Sequence, residues 1–448
     1  MSESLGWCVE AVRAAAEPSL SRALQALRGR HTRRAGGPAR FRERGGLGPL
    51  LELVGPERPR RVLELALSVL GNCCTEPGCR RQARSLGGVP RLVSILAVPN
   101  VPEGVAGRAA RALANLALEA PGAREVLEAG AAPLLISLAS SCTSPTPLLN
   151  SARALRILCP SPTPQTPPPP SLPLPHRALA VSTLSSRLSL LSPCHPCCPL
   201  LLRSLRALVA PPCPGVVAEG ATPALEVLVN LGRGPEESRG AALAVLAALS
   251  AQGRLRPKLG ELGVVEVVVE AVRRQFESGG SLPPQFESGV RALCLLCREA
   301  VNRARVRRCG GLGALLGILR EPRAGRWHRR ALLALAAFAW DPLALGRLGR
   351  AGLVPLLARG LRGEGRGGEG LWGEGMEMEM EEEEEEGEEE EAASVDWPRE
   401  RRGRALLGAL GAAAAAPFGL GLLRHGLSAA GTPRARAAAA AATALLAR

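Results

Sequence analysis

The stretch RALCLLCREAVNRARVRRCGGLGALLGIL, Arg291 to Leu319, sets Cys294 three residues before Cys297 and adds a third thiol at Cys309. A CxxC pair supports two chemistries, half of a zinc site or a redox dithiol. A structural zinc takes four ligands at roughly 2.0–2.3 Å, usually from two such pairs. No second pair stands nearby, and His31, His176, His195, His328 and His425 are scattered. Cys294 and Cys297 align instead with Ala114/Ala117 and Arg156/Cys159 in a recurring helical motif whose positions are mostly small, so packing is the expected role. Cys8, Cys73, Cys74 and Cys79 fail the same test. CHPCCP (194–199) crowds Cys194, His195, Cys197 and Cys198, with only Cys213 near enough to add a ligand, and reads as unstructured or non-coding sequence. Gly368-x-Gly370-x-x-Gly373 has the form of a dinucleotide loop but no strand before it. No nucleophile–base pair, paired-carboxylate site or Walker loop is visible. The expectation is a non-enzyme without cofactor or metal.

The elements that would position these residues repeat. Glycine, two residues, a small residue or proline, then an apolar run recurs as GGLGPLLELV (45–54), GGVPRLVSIL (87–96), AGAAPLLISL (129–138) and EGATPALEVL (219–228), then as LGVVEVVVEA (262–271), GGLGALLGIL (310–319) and AGLVPLLARG (351–360). The marker glycines are Gly46, Gly88, Gly130, Gly220, Gly263, Gly311 and Gly352, spaced by 42, 42, 90, 43, 48 and 41 residues. Each is expected to end one helix in the left-handed region, with the apolar run opening the next. A second motif follows in phase: VLGNCC (69–74), ALANLA (112–117), ALRILC (154–159), VLAALS (245–250), ALCLLC (292–297) and LAAFAW (335–340). One unit is therefore a short helix and two longer ones. No unit buries its faces alone, so units must stack.

On these motifs the chain resembles the armadillo repeats, which implies an all-α, right-handed superhelical solenoid. In many such proteins the asparagine of ALxNLA holds an extended peptide's backbone. That position reads Asn72, Asn115, Ile157, Ala248, Leu295 and Ala337, leaving two rungs. One helical turn earlier stand Ser68, Arg111, Arg153, Ala244, Arg291 and Leu333, where the family often has tryptophan. Asn72, Arg111, Asn115, Arg153 and Arg291 are thus the candidate protein-binding groove, and the three arginines point to an acidic partner segment.

Longer passages narrow the resemblance. LELALSVLGNCCTEPGCRRQARSLGGVPRLVSIL (63–96), Arg291–Leu335, GRLGRAGLVPLLARGL (346–361) and PFGLGLLRHGL (417–427) are similar to the armadillo repeat-containing protein 5 family. That resemblance implies a substrate receptor of a cullin-3 ubiquitin ligase. Its armadillo part would bind substrate and self-associate as a homodimer, and a C-terminal BTB domain would bind cullin 3. The implied substrate is the largest subunit of RNA polymerase II. No BTB domain is recognisable here and the sequence stops within a helical pattern, so it reads as a fragment. The alternative is a scaffold or transport adaptor of the catenin or importin kind, without a ligase.

Composition bounds the rest. Of 448 residues, 46% are hydrophobic but 2% aromatic, with no tyrosine, so the core is built from Leu, Ala and Val. The formal charge is +15, yet residues 364–391 carry −14, leaving +29 elsewhere. Such a surface attracts acidic partners. The aromatics that stack single-stranded bases are missing, and nucleic acid is not the expected partner. Lys258 is the one lysine, which leaves few sites for self-ubiquitination. Thirteen cysteines without a signal peptide read as reduced thiols, in cytoplasm or nucleus. Ala405–Leu423 is uncharged but rich in Ala and Gly and holds Pro417, so no membrane span is expected.

The expected organisation is an N-terminal helical cap over 1–44 and armadillo repeats over 45–159 and 216–361. A Pro-rich linker, or a mispredicted exon, replaces one repeat over 160–215. An acidic disordered segment occupies 362–398 and a further, truncated helical repeat 399–448.

Overall fold

A computed structural model describes residues 3–160, 170–210, 215–234, 236–277, 284–338, 341–353 and 356. Among the described residues every regular element is helical, and the fold is the all-α armadillo type. The chain divides into two compact units, Met1–Val227 and Leu228–Arg448. The acidic segment and the last helical repeat expected over 362–448 lie outside the described residues.

In the first unit, α1 (Leu5–Ala14) and α2 (Ser19–Ala26) precede three helix triplets. These are α3 (Gly37–Glu43), α4 (Leu47–Glu52) and α5 (Arg60–Cys73); α6 (Pro77–Ser85), α7 (Gly88–Leu96) and α8 (Glu103–Leu116); and α9 (Ala120–Glu128), α10 (Ala131–Ser141) and α11 (Pro145–Ile157). α12 (Leu174–Ser189), α13 (Cys198–Leu208) and the short α14 (Gly215–Glu219) follow, and α15 (Leu225–Arg233) carries the chain into the second unit. There the order is α16 (Glu236–Ser250), then α17 (Arg256–Glu261), α18 (Val264–Glu277) and α19 (Pro284–Leu296). The last triplet is α20 (Ala300–Arg308), α21 (Gly311–Arg320) and α22 (Gly325–Ala336), followed by α23 (Pro342–Arg350).

Like packs on like. The third helices α5, α8 and α11 lie side by side in the first unit, as do α16, α19 and α22 in the second. α8 shows why its sequence suits a sandwiched position. Val105, Gly107, Ala110, Ala112, Leu113 and Asn115 are all buried, spread around the helix rather than along one stripe. Its small residues let neighbours approach closely: a Cβ on Gly107 would sit 3.1 Å from Pro147 of α11. Helix starts are written locally. The Glu76 carboxylate accepts the N–H groups of Gly78 (2.9 Å) and Cys79 (2.6 Å), and Pro77 takes the first-turn position that needs no N–H.

The glycine markers need one correction. The left-handed residues are Gly45, Gly87 and Gly310, not Gly46, Gly88 and Gly311; at Gly130, Gly263 and Gly352 the marker itself is left-handed, and Gly220 is not. In the doublets the two glycines divide the work. Gly87 has φ 73°, while a Cβ on Gly88 would lie 2.7 Å from the Ala83 carbonyl oxygen of the preceding helix.

The second correction concerns 160–215. Instead of a linker replacing a repeat, α12 packs on α10, and α13 packs on both α11 and α12. They occupy the second-helix and third-helix places of a fourth repeat. Polar ties hold them there: Arg177 donates to the carbonyls of Leu208 (2.6 Å) and Ala210 (2.8 Å), and Arg187 to that of Cys142 (2.8 Å). SLRALV (204–209) stands in register with ALRILC (154–159), a signal present in the sequence but masked by the surrounding prolines.

Candidate protein-binding face

The third helices carry the predicted site residues. Asn72 lies on α5, Arg111 and Asn115 on α8, Arg153 on α11 and Arg291 on α19. In the first unit four of them form two hydrogen-bonded pairs, each crossing from one repeat to the next. Arg111 Nη2 donates to Asn72 Oδ1 at 2.9 Å, and Arg153 Nη2 donates to Asn115 Oδ1 at 2.8 Å. The amide nitrogens point backwards. Asn115 Nδ2 donates to the Gly71 carbonyl at 2.8 Å, and Asn72 Nδ2 to the Thr32 hydroxyl at 3.2 Å. Both asparagines are buried, with 8% and 2% of their surface exposed. Each rung is therefore occupied from within the chain, whereas the arginines remain half-exposed.

Arg291 belongs to the second unit and differs. The residue beneath it in the motif is Ala248, which offers no acceptor, and no described side chain bonds it. Arg203 of α13 holds the same register position in the fourth repeat, where the asparagine place one repeat earlier is Ile157, and it is exposed. An arginine is thus held down only where an asparagine lies one repeat earlier.

The cations on this face are poorly compensated. Among the described residues no carboxylate forms an ion pair with Arg33, Arg111, Arg153 or Arg156. Burial lowers the pKa of Arg111, and the nearby Arg33 cation adds to the shift. Burial does the same for Arg153, followed by Arg156 and Arg111. Guanidinium stays protonated throughout the accessible range, so these groups are positive charges held close together. One turn earlier on α8 a carboxylate joins the cations: Gln25, Arg28, Arg61, Glu64, Leu65 and Arg108 line a hollow of about 210 Å³, with Glu64 as its one acidic residue. There Arg108 donates to the Ser68 hydroxyl at 3.0 Å and lies 3.9 Å from Glu64.

The CxxC sulfurs lie at the end of a third helix, in register with Ala114 and Ala117. Cys297 is fully buried. Burial pushes the Cys294 thiol up to about 12 and raises the Cys297 thiol well above its usual range. A raised pKa keeps a thiol protonated and weakens it as a nucleophile. Among the described residues no three His, Cys, Asp or Glu side chains come together as a metal site. Other thiols act as weak donors in the stack: Cys79 Sγ donates to the Pro38 carbonyl at 3.4 Å, joining α6 to α3. At the equivalent place Asn302 Nδ2 donates to the Arg256 carbonyl at 2.8 Å, joining α20 to α17.

Sequence reasoning missed a second set of arginines. Arg80 is buried and donates to the Thr75 carbonyl at 3.0 Å and to Glu119 Oε1 of the next repeat at 2.6 Å. Arg256 donates likewise to the carbonyls of Ser250 (2.9 Å) and Ala251 (3.0 Å), and Arg303 to those of Cys297 (3.1 Å) and Arg298 (3.0 Å). Each satisfies the open carbonyls at the end of a third helix. The signal was available: an N-cap position followed four residues later by arginine, as in Glu76/Arg80 and Glu299/Arg303.

Comparison with known proteins agrees with this architecture. The armadillo-repeat region described as ARMC5 matches residues 61–357. Armadillo repeat-containing protein 5 of Mus musculus is 39% identical over 459 residues, covering 90% of this chain and 47% of its own length, so the chain spans about half of that relative. An engineered protein of known structure superposes with a TM-score of 0.68 at 19% identity, covering 99% of each chain. A chain from a structural study of a phosphorylation switch between cadherin and beta-catenin gives 0.66 at 18% identity, covering 99% of this chain and 94% of its own. At those identities the likeness shows the fold. The match through the repeats and the identity along the chain show more: this protein belongs to the armadillo repeat-containing protein 5 family.

Proposed function

We propose that this protein captures another protein on its third-helix face and delivers it for ubiquitination, as the substrate-recognition part of a cullin-3 ligase. The captured protein is the largest subunit of RNA polymerase II. In this reading the chain works in cytoplasm and nucleus, as a homodimer, and cullin 3 is bound by a part of the protein that this chain does not span. The single observation that carries the capturing role is the row of uncompensated arginines on the third helices, in a family whose fold is a protein-binding armadillo scaffold. The internally occupied Asn72 and Asn115 weigh against an importin-like backbone reader. The test is affinity capture from nuclear extract. The chain is expected to retain the polymerase subunit. Fused to the part of the mouse relative that it does not span, it is expected to retain cullin 3 as well. A fusion that captures the polymerase subunit but never cullin 3 would make the chain a scaffold without a ligase.

A further inference from the structure

We propose that Arg111 and Arg153 form a two-pronged receptor for carboxylates, preset by Asn72 and Asn115, and that the captured segment is extended and acidic. This deepens the capturing role above and rests on it. The asparagines act as positioning residues and do not touch the partner.

Three observations carry it. First, the amides are engaged from within: each Oδ1 accepts from an arginine and each Nδ2 donates to the preceding repeat, in a buried setting. Second, a guanidinium has five N–H donors, and the bond to asparagine uses one on each arginine. The remainder suits a carboxylate fork, and no described carboxylate pairs with either arginine. Third, the arginines are already ordered. Arg111 lies over Gly71, where a Cβ would come within 3.4 Å of its Nη1. A side chain ordered before binding loses less freedom when the partner arrives. Arg203 and Arg291, with Ile157 and Ala248 in the asparagine place, lack this ordering.

The geometry sets the spacing. Packed helices lie roughly 8–10 Å apart, and an extended chain in the polyproline-II form, with three residues to the turn, advances about 3.1 Å per residue and keeps every third side chain on one face. Carboxylates three residues apart therefore meet successive prongs.

The experiment is fluorescence anisotropy on the full chain. The probes are a labelled peptide with Glu at every third position, its Gln counterpart and its phosphoserine counterpart. The Glu peptide is expected to bind and the Gln peptide to bind at least tenfold more weakly. Arg111→Gln with Arg153→Gln removes both the binding and its dependence on salt. Asn72→Leu with Asn115→Leu weakens the Glu peptide about tenfold but keeps the salt dependence, because the cations stay while their ordering is lost. Circular dichroism confirms folding, and Asn72→Asp with Asn115→Asp serves as a second pair: the new carboxylates fill the prongs and abolish binding. Equal binding of the Gln and Glu peptides, lost in the leucine pair, would overturn the proposal in favour of a backbone-reading ladder. Binding of the phosphoserine peptide alone overturns the carboxylate assignment. If no peptide binds while the polymerase subunit is still captured from extract, this inference fails and the proposed function stands. Peptide binding without that capture fails the named substrate alone.

Discussion

Arg80 shows what one buried charge does here. Its guanidinium closes the end of α5 through the Thr75 carbonyl and reaches Glu119 of the next repeat. Replacing it leaves a helix end and a carboxylate without their partner, and hydrogen bonds to charged groups contribute about 1.5–3 kcal/mol. Arg80→Met is therefore expected to lower stability by about 2 kcal/mol, read from the urea midpoint of the full chain. An unchanged midpoint would mean that the clamp is replaceable by water. The arginines of the binding face need separate treatment, because Arg111 and Arg153 each donate to an asparagine Oδ1 of the preceding repeat rather than to a helix end. The same residue type thus serves two purposes, told apart by the partners that stacking brings to it. Periodicity alone did not separate them: Arg80 and Arg111 are both simply arginines within amphipathic helices, and only their neighbours differ.

At the scale of elements, the informative case is α12 and α13. Proline density between Cys159 and Leu202 argues against helix interiors, yet Leu174–Ser189 and Cys198–Leu208 are helical because their prolines cluster at helix starts, where no N–H is needed. Their apolar faces cover α10 and α11: Leu184, Leu188, Leu201, Leu202 and Leu205 are fully buried. Deleting 172–208 is expected to expose those faces and cost the first unit its cooperative melt, seen as a broad, early calorimetric transition. A linker would be removable with the transition intact. The glycine doublets make the same point on a smaller scale. A sequence shows that a turn is present; which of two adjacent glycines turns left depends on how closely the preceding helix approaches.

For the whole molecule the charge distribution matters most. With +29 outside residues 364–391, the chain is expected to bind DNA or any other polyanion at low salt. Such binding releases counterions and weakens steeply between about 50 and 200 mM salt. Filter binding of two unrelated duplexes should give equal affinities that vanish together over that range. A preference for one duplex that survives 200 mM salt would revive nucleic acid as a specific partner. The peptide site is expected to be less salt-sensitive, because it uses two ordered arginines rather than the whole field.

The sequence by itself determined the repeat, its period of about 42 residues, the all-α class and the places of Asn72, Arg111, Asn115, Arg153 and Arg291 on third helices. These follow from local patterning, since glycine turns and apolar spacing are written within each unit. Only the tertiary structure decided what those residues hold. Whether an asparagine is free or filled, how deeply a cysteine pair is buried, and whether a proline-rich stretch stacks as a repeat all depend on residues some 40 positions away. Stacking brings those residues within 3 Å, and the spacing of one helix cannot state it.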